Sequence, residues 1–178
     1  MYRSTVFFGR RGTFLAILVL VAVALLANWL DMPLPAVGGA GRASDGDSFR
    51  LGEERVRLLG LDAPELNQDC ASSMEGRWPC GRAARERMAA LLASGAVACQ
   101  PEGRDRYDRL LARCSVDGAD MGATLVAEGL AIAAGDYWSE QGVARAAGRG
   151  IWAGGFENPA DWRADHARPS GFLGWLGL

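Results

Sequence analysis

From 13 to 30 the chain runs through eighteen positions without a charge, TFLAILVLVAVALLANWL, and no other feature restricts its folding so strongly. At about 1.5 Å per residue the run makes a helix of about 27 Å, close to the roughly 30 Å apolar core of a bilayer. It has no polar face with which to cover a globular core. Arg3, Arg10 and Arg11 precede it, and no basic residue follows until Arg42. The positive-inside rule therefore predicts a cytoplasmic N-terminus over 1–12, a transmembrane signal-anchor over 13–30, and the rest of the chain outside. The expected location is the inner (cytoplasmic) membrane, single-pass, with the following domain periplasmic or extracellular. The alternative is secretion after cleavage of a signal peptide, although apolar signal regions usually run to about 7–15 residues.

Residues 31–40 are rich in Pro and Gly and read as a linker. That leaves 41–166 for one domain, in keeping with the usual size of a single core, and 167–178 as a Gly- and Leu-rich tail. All 19 basic residues are arginine, and the net charge of -2 describes a mildly acidic protein. Tight, sequence-independent duplex binding normally draws on a basic excess, so phosphate recognition here has to be local. Cys70, Cys80, Cys99 and Cys114 all follow the apolar run, where an oxidising compartment makes pairing the default. Three connectivities exist, of which Cys70–Cys80 with Cys99–Cys114 is favoured. The spacings contain no C-x-x-C, and His166 is the only histidine, which argues against zinc.

Within the domain, 48–61 alternates apolar residues with arginines around Gly52-Glu53-Glu54 and predicts a hairpin. Residues 82–93 place Ala84, Met88, Leu91 and Leu92 on one helical face. Strands are expected at 96–100 and 110–116 around a charged loop at 101–109, and helices at 121–128 and 140–149. Strands first and helices late predict an α+β, mostly β, fold: a five-stranded OB-fold barrel, closed and antiparallel, with about three helices after the transmembrane one. Trp152 and Trp162 are expected to close the helical side, and His166 to lie solvated in the tail.

Three clusters carry chemistry: Asp45-Gly46-Asp47-Ser48, then Arg57-Leu58-Leu59-Gly60-Leu61-Asp62-Ala63-Pro64-Glu65, then Asp105-Arg106-Tyr107-Asp108-Arg109. Asp47, Asp62 and Glu65 sit in turns at strand ends, and hard oxygen donors without His or Cys suit calcium or magnesium. Crowded carboxylates need neutralising, and Arg57 and Arg109 can do this and also grip a phosphate with two N–H groups. A cation, a water, a carboxylate base and two arginines are the parts of a phosphodiester hydrolase. The spacing R-x4-D-x2-E alone arises by chance in roughly 4% of chains of this length, so the discrimination lies in the three clusters together.

In that order they resemble the staphylococcal nuclease (thermonuclease) family, over about 41–162 and including Gly129-Leu130-Ala131 and Gly150-Ile151-Trp152. The resemblance implies a calcium-dependent endonuclease that hydrolyses DNA or RNA, single strands preferred, to 3′-phosphate ends. It implies Asp47 and Asp62 as Ca2+ ligands with the Ala63 carbonyl, Asp45 behind them, and Glu65 as the group that orients or deprotonates the attacking water. Arg57 and Arg109 would bind the scissile phosphate, and Tyr107 and Tyr137 would line the nucleotide pocket. Gly135 stands where the type member has a second pocket tyrosine. A monomer is expected. The alternative function is a non-catalytic OB-fold module that binds nucleic acid or another ligand, as degenerate members of this fold do.

Overall fold

The computed structural model describes residues 10–30, 34–74 and 76–166, so the expected cytoplasmic segment up to residue 9 and the tail lie outside the described residues. The chain divides into two units, 1–33 and 34–178. In the first, α1 (Arg10–Leu30) is a single 21-residue helix, and every described side chain from Thr13 to Ala27 is exposed. Among the described residues no helix is long and apolar enough to cross a membrane. The expected helix is present.

The second unit begins with β1 (Val37–Gly38) and β2 (Gly41–Ala43), followed by the hairpin of β3 (Ser48–Leu51) and β4 (Glu54–Leu58). Leu51 pairs with Glu54, so the turn is Gly52-Glu53, and the expected turn residue Glu54 belongs to the strand. Gly52 enters the turn at φ +60, a backbone region where a Cβ is costly. Phe49, Leu51, Val56 and Leu58 alternate inward, as the sequence pattern predicts. The chain then forms β5 (Leu61–Asp62), β6 (Cys70–Ala71), β7 (Arg77–Trp78) and α2 (Cys80–Ser94), whose Ala84, Met88, Leu91 and Leu92 are buried.

β8 (Val97–Arg104) and β9 (Leu110–Val116) make the longest ladder, with Cys99 opposite Cys114. β8 extends past the expected end at residue 100 by way of a bulge between Pro101 and Gly103, which shortens the loop to five residues. After β10 (Ala119–Asp120) come α3 (Met121–Ala127), β11 (Ile132–Ala133), α4 (Trp138–Ala146), a 3-10 turn (Gly150–Ala153) and α5 (Pro159–His166). Among the described residues four helices follow α1 where about three were expected. The missed one, α5, is short and polar, with no apolar periodicity to reveal it.

The main sheet has the order β1-β8-β9-β4-β3-β2, with β10 on β9. It curls into a half-barrel consistent with an OB-like fold. The expected fully antiparallel closure is corrected by one pairing: β4 and β9 run parallel, Val56 beside Leu110 and Leu58 beside Ala112. Parallel neighbours need a long crossover, and the segment from β5 through α2 and β8 supplies it.

The main core lies between the sheet and α2 and α3, around Phe49, Val56, Met88, Met121 and Leu125. A second cluster gathers Cys70, Cys80 and Ile151 with Trp78, Trp152 and Phe156. Both favoured disulfides are present, Cys70–Cys80 with Cα atoms 5.6 Å apart and Cys99–Cys114 at 4.1 Å. Trp152 packs where expected; Trp162 and His166 belong to α5, and His166 is exposed as expected.

Candidate active site

The three charged clusters meet at one cleft of about 750 Å³, bordered by Asp45, Asp47, Arg57, Glu65, Tyr107 and Arg109. Each arrives from a different turn. The Asp45-Gly46-Asp47 turn closes on the Ser48 carbonyl, which accepts from the N–H groups of Ser44 and Asp45 at 3.0 and 2.9 Å. A Cβ on Gly46 would lie 2.7 Å from the Cβ atoms of both Ala63 and Ala84, so only glycine lets this turn seat against the Asp62 loop and α2. Pairing of Ser48 with Arg57 in the β3–β4 ladder then brings Arg57 beside Asp47.

Arg57 bridges two buried aspartates: Nη1 lies 2.7 Å from Asp47 Oδ2, and Nη2 donates to Asp62 Oδ1 at 2.9 Å. The Ser48 hydroxyl donates to Asp47 Oδ1 at 2.7 Å. Burial pushes the Asp47 carboxyl above its ordinary range, opposed by the Arg57 charge and the Ser48 hydrogen bond. Asp45 is pushed up to about 6, first by burial and then by the charges of Glu65 and Asp47. A proton taken up by Asp45 below about pH 6 relieves the repulsion inside this acidic group.

Asp62 lies on β5, paired with Ile132 of β11. The following loop is pinned by Gln68, which is fully buried. Its Oε1 accepts from the Glu65 N–H at 3.1 Å, and its Nε2 donates to the Glu157 carbonyl at 2.7 Å. Ala63 is buried beneath the turn.

Asp105 organises the third cluster by accepting from the N–H groups of Tyr107 at 2.9 Å and Arg109 at 3.0 Å, as an aspartate at the head of a turn does. It also takes Arg109 Nε at 2.7 Å, leaving the two Nη groups of that arginine toward the cleft, one of them 3.4 Å from the Ser48 hydroxyl. Partial desolvation pushes Asp105 upward, but these hydrogen bonds outweigh it and hold the carboxyl down at about 2. Tyr107 is 56% exposed, with Arg106 and Arg109 lying 4.7 and 5.6 Å from its ring centre.

The structure does not bring Tyr137 into this cleft. Its ring packs against the main core and occupies the space a Cβ on Gly122 would need, and its hydroxyl lies 3.2 Å from Asp120 Oδ2. The residue takes a left-handed backbone at φ +65 just before α4, which turns the ring toward α3.

Sequence reasoning missed Arg163. From α5 its Nη1 donates to Glu65 Oε1 at 2.7 Å and its Nη2 to Asp62 Oδ2 at 2.8 Å, clamping two carboxylates about a hundred residues earlier. The helix start was readable: Asn158 Oδ1 accepts from the Ala160 N–H at 2.9 Å, with Pro159 at the first helical position. The placement over Asp62 was not readable, because it depends on how the 3-10 turn docks on the second core cluster.

The donor set suits a hard cation, since Asp47, Asp62 and the Ala63 carbonyl are all oxygen ligands. Among the described residues no group of three or more acidic, histidine or cysteine side chains could hold a metal ion. The expected set needs only two carboxylates and a carbonyl, completed by water, so it fits in its chemistry. Here arginines supply the neutralising charge, Arg57 on Asp47 and Asp62 and Arg163 on Asp62 and Glu65.

A curled OB-like sheet bearing a cleft of carboxylates and arginines suits a phosphodiester-hydrolysing nuclease, the class that the family match and the endonuclease relatives show. The chain belongs to the staphylococcal nuclease homologue family, whose model matches residues 55–154. It is similar to the succinoglycan biosynthesis protein ExoI of Rhizobium meliloti (strain 1021), 34% identical over 139 residues, covering 74% of this chain and 72% of that one. It also resembles an uncharacterized endonuclease of Escherichia coli O157:H7, 29% identical over 142 residues and covering 74% of this chain and 86% of the other. Endonuclease YncB of Bacillus subtilis (strain 168) is 35% identical over 97 residues, covering 51% of this chain and 44% of its own. Arg57, Asp62, Ala63, Glu65, Tyr107 and Arg109 fall inside the matched region, whereas Asp45, Asp47 and Arg163 fall outside it.

Proposed function

We propose that the protein is a calcium-dependent endonuclease that hydrolyses single-stranded DNA or RNA to 3′-phosphate and 5′-hydroxyl ends. The observation that carries this reading is Arg57 spanning buried Asp47 and Asp62 at the mouth of a cleft that also presents Glu65 and Arg109. In the proposed reaction Glu65 orients a water and takes its proton. The water oxygen bonds to phosphorus, the bond from phosphorus to the 5′-oxygen breaks, and that oxygen leaves with a proton drawn from solvent, to which Glu65 returns its own. Arg57 and Arg109 meet the charge that builds on the phosphoryl oxygens, where a fixed guanidinium is worth most. Arg109 is pre-aimed, because Asp105 holds its Nε and backbone while the rest of the guanidinium stays available. Asp47, Asp62 and the Ala63 carbonyl would hold calcium, which supplies positive charge at the scissile phosphate when bound.

We also propose that α1 attaches the domain to the inner membrane with the domain on its outer face. The reading rests on the uncharged run of eighteen residues, the arginines before it, and two disulfides after it. Resistance to alkaline carbonate extraction supports it, and release into the soluble fraction opposes it. Monomeric behaviour is expected, and sedimentation of the detergent-solubilised chain tests it.

The test of the enzyme reading is cleavage of single-stranded DNA by the full chain with calcium, with chelator and with magnesium, followed by analysis of the new ends. Calcium-dependent cleavage leaving 3′-phosphates supports it. Glu65→Gln and Arg109→Ala are expected to lower kcat by about 10³-fold or more, the scale of an arginine acting on a phosphoryl transition state. A folded chain that binds calcium and single strands without cutting them would instead be a binding module.

A further inference from the structure

Beside the catalytic cleft lies a second groove of about 630 Å³ that the cleavage chemistry does not use. Tyr107 and Arg106 form one wall, and Trp162, Arg163 and His166 of α5 form the other. The groove is continuous with the cleft, because Arg106, Tyr107 and Arg163 border both. Trp162 and His166 stack with ring centres 3.9 Å apart and planes 14° from parallel, a pair held by the Trp162 carbonyl 2.9 Å from His166 Nδ1. This pre-ordered aromatic pair faces an exposed tyrosine, with a guanidinium on each wall. None of α5 lies within the region matched by the family model.

We propose that this groove is a base-binding subsite of the nuclease: one base of the substrate strand, next to the scissile phosphate, stacks between Tyr107 and the Trp162–His166 pair. Arg106 takes the neighbouring phosphate, while Arg163 stays on Asp62 and Glu65. Aromatic faces beside cations are the usual means of holding single strands, since every base offers a π face and stacking tolerates any sequence. A paired base cannot enter, so the groove would favour single strands. The net acidity of the chain agrees with affinity built from a few stacks and local arginines rather than from a basic field. The proposal rests on the nuclease reading and names a subsite of it.

The experiment compares an octathymidylate with an abasic octamer of the same backbone, both with calcium, on the full-length wild type and on Trp162→Ala, Trp162→Phe and His166→Ala. The expected result is a fall of about tenfold in the base-to-abasic ratio of kcat/KM for Trp162→Ala, on the scale of one base stack. A smaller fall is expected for His166→Ala, and recovery of most of the ratio in Trp162→Phe. Octathymidylate binding in chelator, followed by quenching of tryptophan fluorescence, should weaken in step. An unchanged ratio in both alanine variants overturns the subsite, as does an equal loss on both substrates, which would mean that α5 acts only through Arg163 on Asp62 and Glu65. A wild type that cuts neither octamer removes the nuclease reading itself.

Discussion

Gly81 has no room for a side chain, since a Cβ there would sit 1.7 Å from the carbonyl oxygen of Glu65. The start of α2 is therefore pressed against the backbone of the candidate base, and the Gly81 N–H donates to the Gln68 carbonyl at 3.1 Å. Gly81→Ala is expected to displace Glu65 and lower kcat by about 10²-fold, the effect of roughly 1 Å of misplacement at a reacting centre. A stability loss of about 1–3 kcal/mol from overpacking should accompany it. Full activity at unchanged urea midpoint would show that the contact does not position Glu65. Tyr137 makes a prediction of a different kind. Burial and then the Asp120 carboxylate push its phenol from 10.0 to about 12. Because the folded value is the higher one, the associated stability is fully present below about pH 10 and is lost as pH rises toward 12. Absorbance titration at alkaline pH should show a late step that disappears in Tyr137→Phe, and loss of a step at the ordinary tyrosine value in that variant would refute the packing assigned here.

At the scale of elements, the β8–β9 ladder does most to shape the molecule. It carries the Asp105–Arg109 turn at its tip, and it is closed by Cys99–Cys114 across a separation of 15 residues. Replacing both cysteines by alanine is expected to lower unfolding free energy by about 3 kcal/mol on the chain-entropy view. Urea denaturation measures this, and an unchanged midpoint would mean that the strand pairing alone holds the ladder. The hairpin, α2 and the β8–β9 pair were legible in the sequence because their signals are local: alternation around Gly52, helical spacing from Ala84 to Leu92, and two apolar runs around a charged loop. The parallel β4–β9 pairing was not, because it joins strands through a long crossover whose register no local pattern records. α5 escaped for the opposite reason, being too short and polar to announce itself beyond its Asn158-Pro159 start.

The whole molecule joins a net charge of -2 to a local concentration of arginines at one cleft. Single-strand affinity should therefore depend weakly on salt. At about -0.7 per phosphate contact, the three guanidiniums of Arg57, Arg106 and Arg109 allow a log–log slope no steeper than about -2. Binding measured in chelator from low to moderate salt tests this, and a slope twice as steep would reveal a phosphate track elsewhere on the surface. The chemistry of the site was decided by the sequence itself. The order and spacing of Asp45-Gly46-Asp47, Arg57 through Glu65, and Asp105 through Arg109 specify donors and charges, and reactive groups have to be carried by particular residue types. The four cysteines and the apolar run likewise announced crosslinks and a helix. Only the tertiary structure decided that Arg163 clamps Asp62 and Glu65, that Tyr137 belongs to the core, and that Trp162 and His166 stand beside Tyr107. Those facts depend on how distant surfaces pack, and packing energy is shared among contacts that no single stretch of sequence contains.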